Sequence, residues 1–167
     1  SFVIKGIEYD SRKIEKDFVF VAMTGSTVDG HDFIQKAIDG QIATLTPMKL
    51  QKLMFFAQSW YIKNFHSRLI DDNFMRWPYG PVIPSVYYEF KGNGGGEITA
   101  LAKNAFSTPA PTHLSEKDDA FLDEIIRVYG GFSGWELSNM THQPNTAWSA
   151  RAVGTVMTDQ ELYDGVV

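Results

Sequence analysis

The feature that most limits what this chain can fold into is the apolar segment at residues 46–65. It opens with Thr46, whose hydroxyl can accept the first free N–H groups of a helix, and Pro47, which suits the first helical position. Apolar side chains then recur at steps of three and four and widen to most of the circumference: Leu50, Leu53, Met54, Phe55, Phe56, Ala57, Trp60, Tyr61 and Ile62. The segment predicts a helix of about 20 residues, roughly 30 Å long, around which the chain packs.

Two lysines interrupt this apolar segment. Lys49 and Lys52 lie on the opposite side of the predicted helix from Leu50 and Leu53. We expect their ammonium groups to be solvated, because lysine is rarely fully buried. The alternative is that they form ion pairs in this acidic chain.

Composition limits the class of protein. A length of 167 residues with 44% hydrophobic content fits one domain, or one domain with a small appendage. The lack of cysteine excludes disulfides and thiolate zinc sites and suits a cytoplasmic protein. The net charge of -5 and the scattered basic residues disfavour nucleic-acid binding, and no apolar run reaches the roughly 18 residues of a membrane span. A protein partner is therefore expected, and no cofactor.

Residues 1–43 have a different pattern from the rest. Two β-prone runs, Phe2–Ile4 and Phe18–Val21, precede a short stretch at 31–38 with helical apolar spacing. Gly40 suits the end of that helix. We predict a strand–strand–helix appendage, too small to hold a core alone, that contacts the remainder because the junction lacks linker composition.

Several blocks follow one another in the appendage: Gly6-Ile7, Tyr9-Asp10-Ser11-Arg12-Lys13, Phe18–Ala22, Gly25, Asp29–Ile34 and Ala37-Ile38. Their order resembles the start of a Mur ligase, especially the enzyme that extends UDP-N-acetylmuramoyl-dipeptide. The resemblance implies uridine-nucleotide binding, with Ser11, Arg12 and His31 as candidates. The alternative is that Ser11 and Arg12 cap a turn. No Gly-x-x-x-x-Gly-Lys-[Ser/Thr] loop occurs in the sequence, so we predict no ligase activity and no enzyme.

The segment 76–84 is rich in proline and aromatic residues. Its three prolines exclude a regular helix, because each removes a backbone donor and disfavours helical geometry in the residue before it. We predict a rigid loop that stacks on the long helix through Trp77 and Tyr79. Three later helices are signalled by caps at Ser115, Ser133 and Thr158.

A second set of blocks runs through the remainder: Leu45–Leu53, Phe56–Tyr61, Trp77–Pro84, Tyr87, Tyr129-Gly130, Glu136–Ser138, Thr141-His142 and Trp148. In this order they are similar to the Panacea domain, the SocA-like antitoxin family, from residue 44 to about residue 165. The resemblance implies a helical domain at 44–167 that neutralises a toxin by direct binding. The predicted fold class is therefore α+β, mainly α, a bundle around one long helix with the 1–43 appendage.

The candidate site residues have competing interpretations. Trp77, Tyr79 and Trp148 are candidates for partner binding, because aromatic residues are enriched at binding hot spots, and the alternative is that they belong to the core. His142 is expected to bond a nearby loop backbone rather than a metal, because the four histidines share no ligand spacing.

Three functions remain open from the sequence. The first is an antitoxin that occludes its toxin, and the second is an adaptor that delivers the toxin to a protease. The third is a sensor that binds UDP-sugar peptidoglycan precursors through residues 1–43, or a mimic of the ligase.

Overall fold

The computed structural model describes residues 30–40, 42, 44–99 and 114–167. Within these residues the chain forms six α-helices and one two-stranded antiparallel sheet, in this order: α1 Gly30–Asp39, α2 Pro47–Phe65, β1 Met75–Trp77, β2 Gly80–Val82, α3 Pro84–Phe90, α4 Glu116–Tyr129, α5 Gly134–Thr141 and α6 Asp159–Asp164. The predicted mainly helical α+β class is confirmed. None of the described helices is long and apolar enough to cross a membrane.

Helix α2 is the centre of the fold. Its start follows the sequence, since the Thr46 hydroxyl accepts the backbone N–H of Lys49 and Pro47 lies at the first position. Every residue from Lys49 to Ile62 is buried, and the helix contacts each of the other five. It ends at His66, whose left-handed backbone (φ 51°) stops the helix. The prediction of a helix buried on several sides is confirmed.

The prediction that Lys49 and Lys52 are solvated is wrong. Both are buried, because their long side chains reach carbonyl groups of neighbouring elements. The Lys49 ammonium donates to the carbonyl of Gly130 at 2.6 Å, and Lys52 donates to that of Pro81 at 3.0 Å. A helix surrounded on all sides has no solvated face for them.

The proline-rich segment, predicted as a rigid loop, forms a β-hairpin. Trp77 pairs with Gly80 across the two-residue turn Pro78-Tyr79. The other edge of β1 is covered by residues 154–157 through backbone hydrogen bonds of 2.7 to 2.9 Å. The predicted stacking of Trp77 and Tyr79 on the long helix is wrong. Their rings instead contact Tyr87 and Trp135, with centroids 4.7 and 5.6 Å apart.

The later helices begin where their caps predict. Ser115 accepts the N–H of Asp118, and capping boxes open α5 at Ser133 and α6 at Thr158. The apolar side of α4 joins the core around α2.

Helix α1 confirms the helix predicted at 31–38. Its buried residues Phe33, Ile34 and Ala37 belong to the same core as α2 and α4. The two predicted strands before it, at 2–4 and 18–21, lie outside the described residues. The division of the chain at residue 43 stays a prediction.

Candidate partner-binding site

The backbone of the hairpin turn is held from several directions by side chains of other elements. We call residues 77–81 the pinned turn. Four of its carbonyl oxygens accept hydrogen bonds: that of Trp77 from Trp148 Nε1 at 3.0 Å, that of Pro78 from His142 Nε2 at 3.0 Å, that of Tyr79 from Ser138 Oγ at 2.8 Å and that of Pro81 from Lys52 Nζ at 3.0 Å. The donors come from α2, from α5 and from the segment after α5.

His142 links the turn to the end of α5. Its Nδ1 lies 2.7 Å from the carbonyl of Ser138, and its Nε2 lies 3.0 Å from that of Pro78. Carbonyl oxygens only accept hydrogen bonds, so the doubly protonated ring makes both bonds and the neutral ring makes one. The ring also packs on Trp148, with centroids 3.9 Å apart. The expected backbone-bonding role of His142 is confirmed.

Lys52 holds the turn from beneath. Its side chain is 1% exposed, and burial lowers the pKa of its amine to about 7. The neighbouring Gly80 has a φ of 109°, and a Cβ built there would lie 2.7 Å from Lys52 Cε and 2.8 Å from Thr141 Oγ1. Glycine is therefore required at this position by both backbone conformation and space.

Gln51 extends the attachment along the hairpin. Its amide oxygen accepts the N–H of Ile83 at 2.8 Å, and its amide nitrogen donates to the carbonyl of Ile83 at 3.1 Å. These paired bonds hold the end of β2 against α2 in one register.

Arg76 fixes the hairpin to the C-terminal part of the chain. Its side chain is completely buried and donates to the carbonyls of Ala147, Trp148 and Val156 and to the hydroxyl of Thr155. It also pairs with the Glu161 carboxylate at 2.5 Å. Burial raises the pKa of Glu161, but hydrogen bonds from Arg76, Thr158 and Arg151 outweigh this and lower it to about 2.

The outer surface of the pinned turn is aromatic. Tyr79 is 61% exposed and meets Trp135 of α5, itself 60% exposed, edge to face with an interplanar angle of 88°. Trp77 and Trp148 are half-buried. The structure thus brings the three predicted partner-binding residues together, but only Tyr79 projects well into solvent.

Sequence reasoning missed Trp135 as a surface residue. Leu137 is buried two positions later in α5, and residues two apart on a helix point in nearly opposite directions. That pattern places Trp135 outward, beside the turn.

The candidate nucleotide-sugar residues are described only in part. Ser11 and Arg12 lie outside the described residues. His31 Nε2 lies 2.9 Å from the Glu89 carboxylate of α3, so a ligand at that nitrogen would replace this contact. In the part of the chain that the structure describes, no group of three or more acidic or histidine side chains could hold a metal ion.

A known protein family matches the part of the chain that contains the pinned turn and its four donors. The sequence model described as "Antitoxin SocA-like, Panacea domain" matches residues 50–149. The chain belongs to this family. All four donors to the pinned turn lie within the matched residues of this SocA-like protein. Antitoxin SocA of Caulobacter vibrioides is 30% identical over 123 residues, which are 71% of this chain and 64% of the relative.

The chain also matches Mur ligases. A model described as "Mur ligase family, catalytic domain" matches residues 3–66. A UDP-N-acetylmuramoyl-L-alanyl-D-glutamate–2,6-diaminopimelate ligase of Fusobacterium nucleatum is 36% identical over 75 residues, 44% of this chain and 16% of the ligase. The Bacillus velezensis ligase is 48% identical over 46 residues, 28% of this chain and 9% of the ligase. The chain thus spans a small part of these ligases, and no solved structure matches it.

Proposed function

We propose that this SocA-like protein is an antitoxin that neutralises a protein toxin by binding it directly, without catalysing a reaction. Membership of the family and the likeness to Antitoxin SocA support the antitoxin role. The observation that carries direct binding is the pinned turn, whose main chain is fixed while Tyr79 stays exposed.

The physical reason is preorganisation. A loop that is already ordered loses little conformational entropy when a partner binds, so more of the contact energy appears as affinity. Tyrosine and tryptophan are also the side chains most enriched at binding hot spots. We therefore place the toxin contact on Tyr79 and Trp135, supported from behind by Trp77 and Trp148.

The experiment is co-expression with the toxin from the neighbouring reading frame, with growth and the affinity of the purified pair as readouts. We expect Tyr79→Ala and Trp135→Ala each to weaken binding about 30-fold, as loss of about 2 kcal/mol at a hot spot implies. The matched control is Tyr88→Ala on α3, because Tyr88 is equally exposed at 62%. It should bind like the wild-type protein.

Two results would contradict the proposal. Toxicity that persists beside abundant, folded wild-type protein would remove the antitoxin role for that pair. Unchanged affinity in the Tyr79→Ala/Trp135→Ala double variant would remove the pinned turn as the contact.

The same strains separate occlusion from delivery to a protease. After toxin synthesis is stopped, occlusion leaves the toxin's half-life unchanged or longer. A half-life that shortens only when the antitoxin is present would favour the adaptor instead.

A further inference from the structure

Helix α1 lies outside the antitoxin match at 50–149 yet completes the core of the matched region. Phe33, Ile34 and Ala37 are fully buried among residues of α2 and α4. At its two ends, a Cβ built on Gly30 would lie 3.5 Å from Met54 of α2, and one built on Gly40 would lie 3.6 Å from Ile126 of α4. The surface beneath α1 is therefore an apolar groove between α2 and α4, which we call the α1 groove.

Acidic side chains lie on both sides of the α1 groove. Lys36 Nζ bonds Asp119 at 2.7 Å and Asp123 at 2.8 Å on α4. On the other side His31 contacts Glu89 of α3 at 2.9 Å. The groove thus pairs an apolar floor with acidic rims, which suits an amphipathic helix that has basic residues beside its apolar face.

A helix of this length depends on its surroundings. Helix α1 has 10 residues, and isolated helices shorter than about 12 to 15 residues are marginal in water. Its helical form therefore comes from the groove. Docking of an amphipathic helix into an apolar groove is a recurring mode of peptide recognition.

We infer that the α1 groove is a second protein-binding site, separate from the pinned turn. It accepts an amphipathic partner helix that has two adjacent apolar residues and a basic residue two positions after them, as α1 has in Phe33, Ile34 and Lys36. Helix α1 is the intramolecular occupant, joined to α2 through residues 40–46, and a partner helix displaces it.

The inference is tested on the full chain with a fluorescent peptide of residues 30–40. Since a tethered segment has an effective concentration on the order of millimolar, the wild-type protein should bind the peptide only in that range. Lys36→Glu removes two ion pairs and adds repulsion from Asp119 and Asp123, so it should bind the peptide about tenfold more tightly. Gln35→Lys, on the exposed side of α1, keeps a donor for the Asp39 carboxylate that Gln35 contacts at 2.7 Å, so it is the control and should bind like the wild-type protein.

A covalent cross-link that holds α1 in the groove should have the opposite effect on peptide binding. The chain has no cysteine, so Lys36→Cys with Asp123→Cys can be cross-linked selectively by a bis-maleimide. The cross-linked protein should not bind the peptide, and a peptide carrying Phe33→Asp and Ile34→Asp should bind none of the proteins. In the wild-type protein, saturating peptide should speed amide hydrogen exchange in α1 and leave that of α2 unchanged.

The Phe33→Asp/Ile34→Asp protein provides a second test, because it removes the apolar anchors of α1 itself. Failure of the peptide to bind this protein or the Lys36→Glu protein, while α2 stays protected from exchange, would overturn the inference. Equal binding to the Lys36→Glu and cross-linked proteins would overturn it as well.

Discussion

Replacing Lys52 by methionine should change how stability depends on pH. The folded protein lowers the pKa of this amine from its ordinary 10.5 to about 7, because burial disfavours the charged form. At pH values between about 7 and 10.5 the unfolded chain binds more protons than the folded one. The free energy of unfolding therefore rises as the pH increases through this range, and Lys52 destabilises the folded protein most below pH 7.

The magnitude follows from the shift. A fall from 10.5 to about 7 corresponds to at most about 5 kcal/mol of destabilisation at low pH. Against this, Lys52→Met leaves the Pro81 carbonyl without its donor, at a cost of about 1 to 3 kcal/mol. We expect Lys52→Met to be more stable than wild type at pH 6 and less stable at pH 10, with the two profiles crossing between them.

The assay is urea unfolding followed by tryptophan fluorescence at one-unit steps from pH 6 to pH 10. Burial also lowers the pKa of Lys49 and Lys63, so the informative quantity is the difference in unfolding free energy between variant and wild type. Lys91→Met, at an exposed lysine, is the control and should run parallel to the wild type. Parallel profiles for Lys52→Met and wild type would refute the burial argument.

Three further predictions concern the supports of the hairpin. The pKa of Glu161 is about 2 in the folded protein and ordinarily 4.5. Its ionised carboxylate should therefore contribute roughly 3 kcal/mol to the free energy of unfolding, and this contribution is lost as the pH falls from about 5 to 2. Glu161→Gln should flatten that acid limb in urea titrations, and an unchanged limb would contradict the assignment. Gly80→Ala should cost roughly 1 to 3 kcal/mol in thermal unfolding, whereas Gly94→Ala, also at positive φ but with open space, should cost less. His142→Asn should speed amide exchange in segment 75–82, and protection equal to wild type would show that the turn does not need the ring.

The sequence predicted those elements whose signals are local. Thr46 and Pro47 mark the start of α2, and the caps at Ser115, Ser133 and Thr158 mark later starts, because each acts within four residues. Local hydrogen-bonding rules do not depend on the rest of the fold, so these predictions hold without it.

The contacts that build the candidate site could not be predicted in this way. Lys52 finds its acceptor 29 residues away and Lys49 finds one 81 residues away, so neither burial is visible in helical spacing. Pro81 is tolerated in a strand because no backbone hydrogen bond to its partner Arg76 is needed. The N–H and carbonyl of Arg76 bond Thr155 and Gly154 instead. The hairpin therefore emerges only when distant parts of the chain meet.

The way in which the turn is attached has an evolutionary consequence. The side chains that hold the turn bond backbone carbonyl oxygens, which every amino acid supplies, rather than the side chains that point outward. Substitutions at position 79 can thus alter the chemistry offered to another molecule without altering the path of the chain. Such a scaffold lets new specificities arise by one-step mutation while its architecture is preserved.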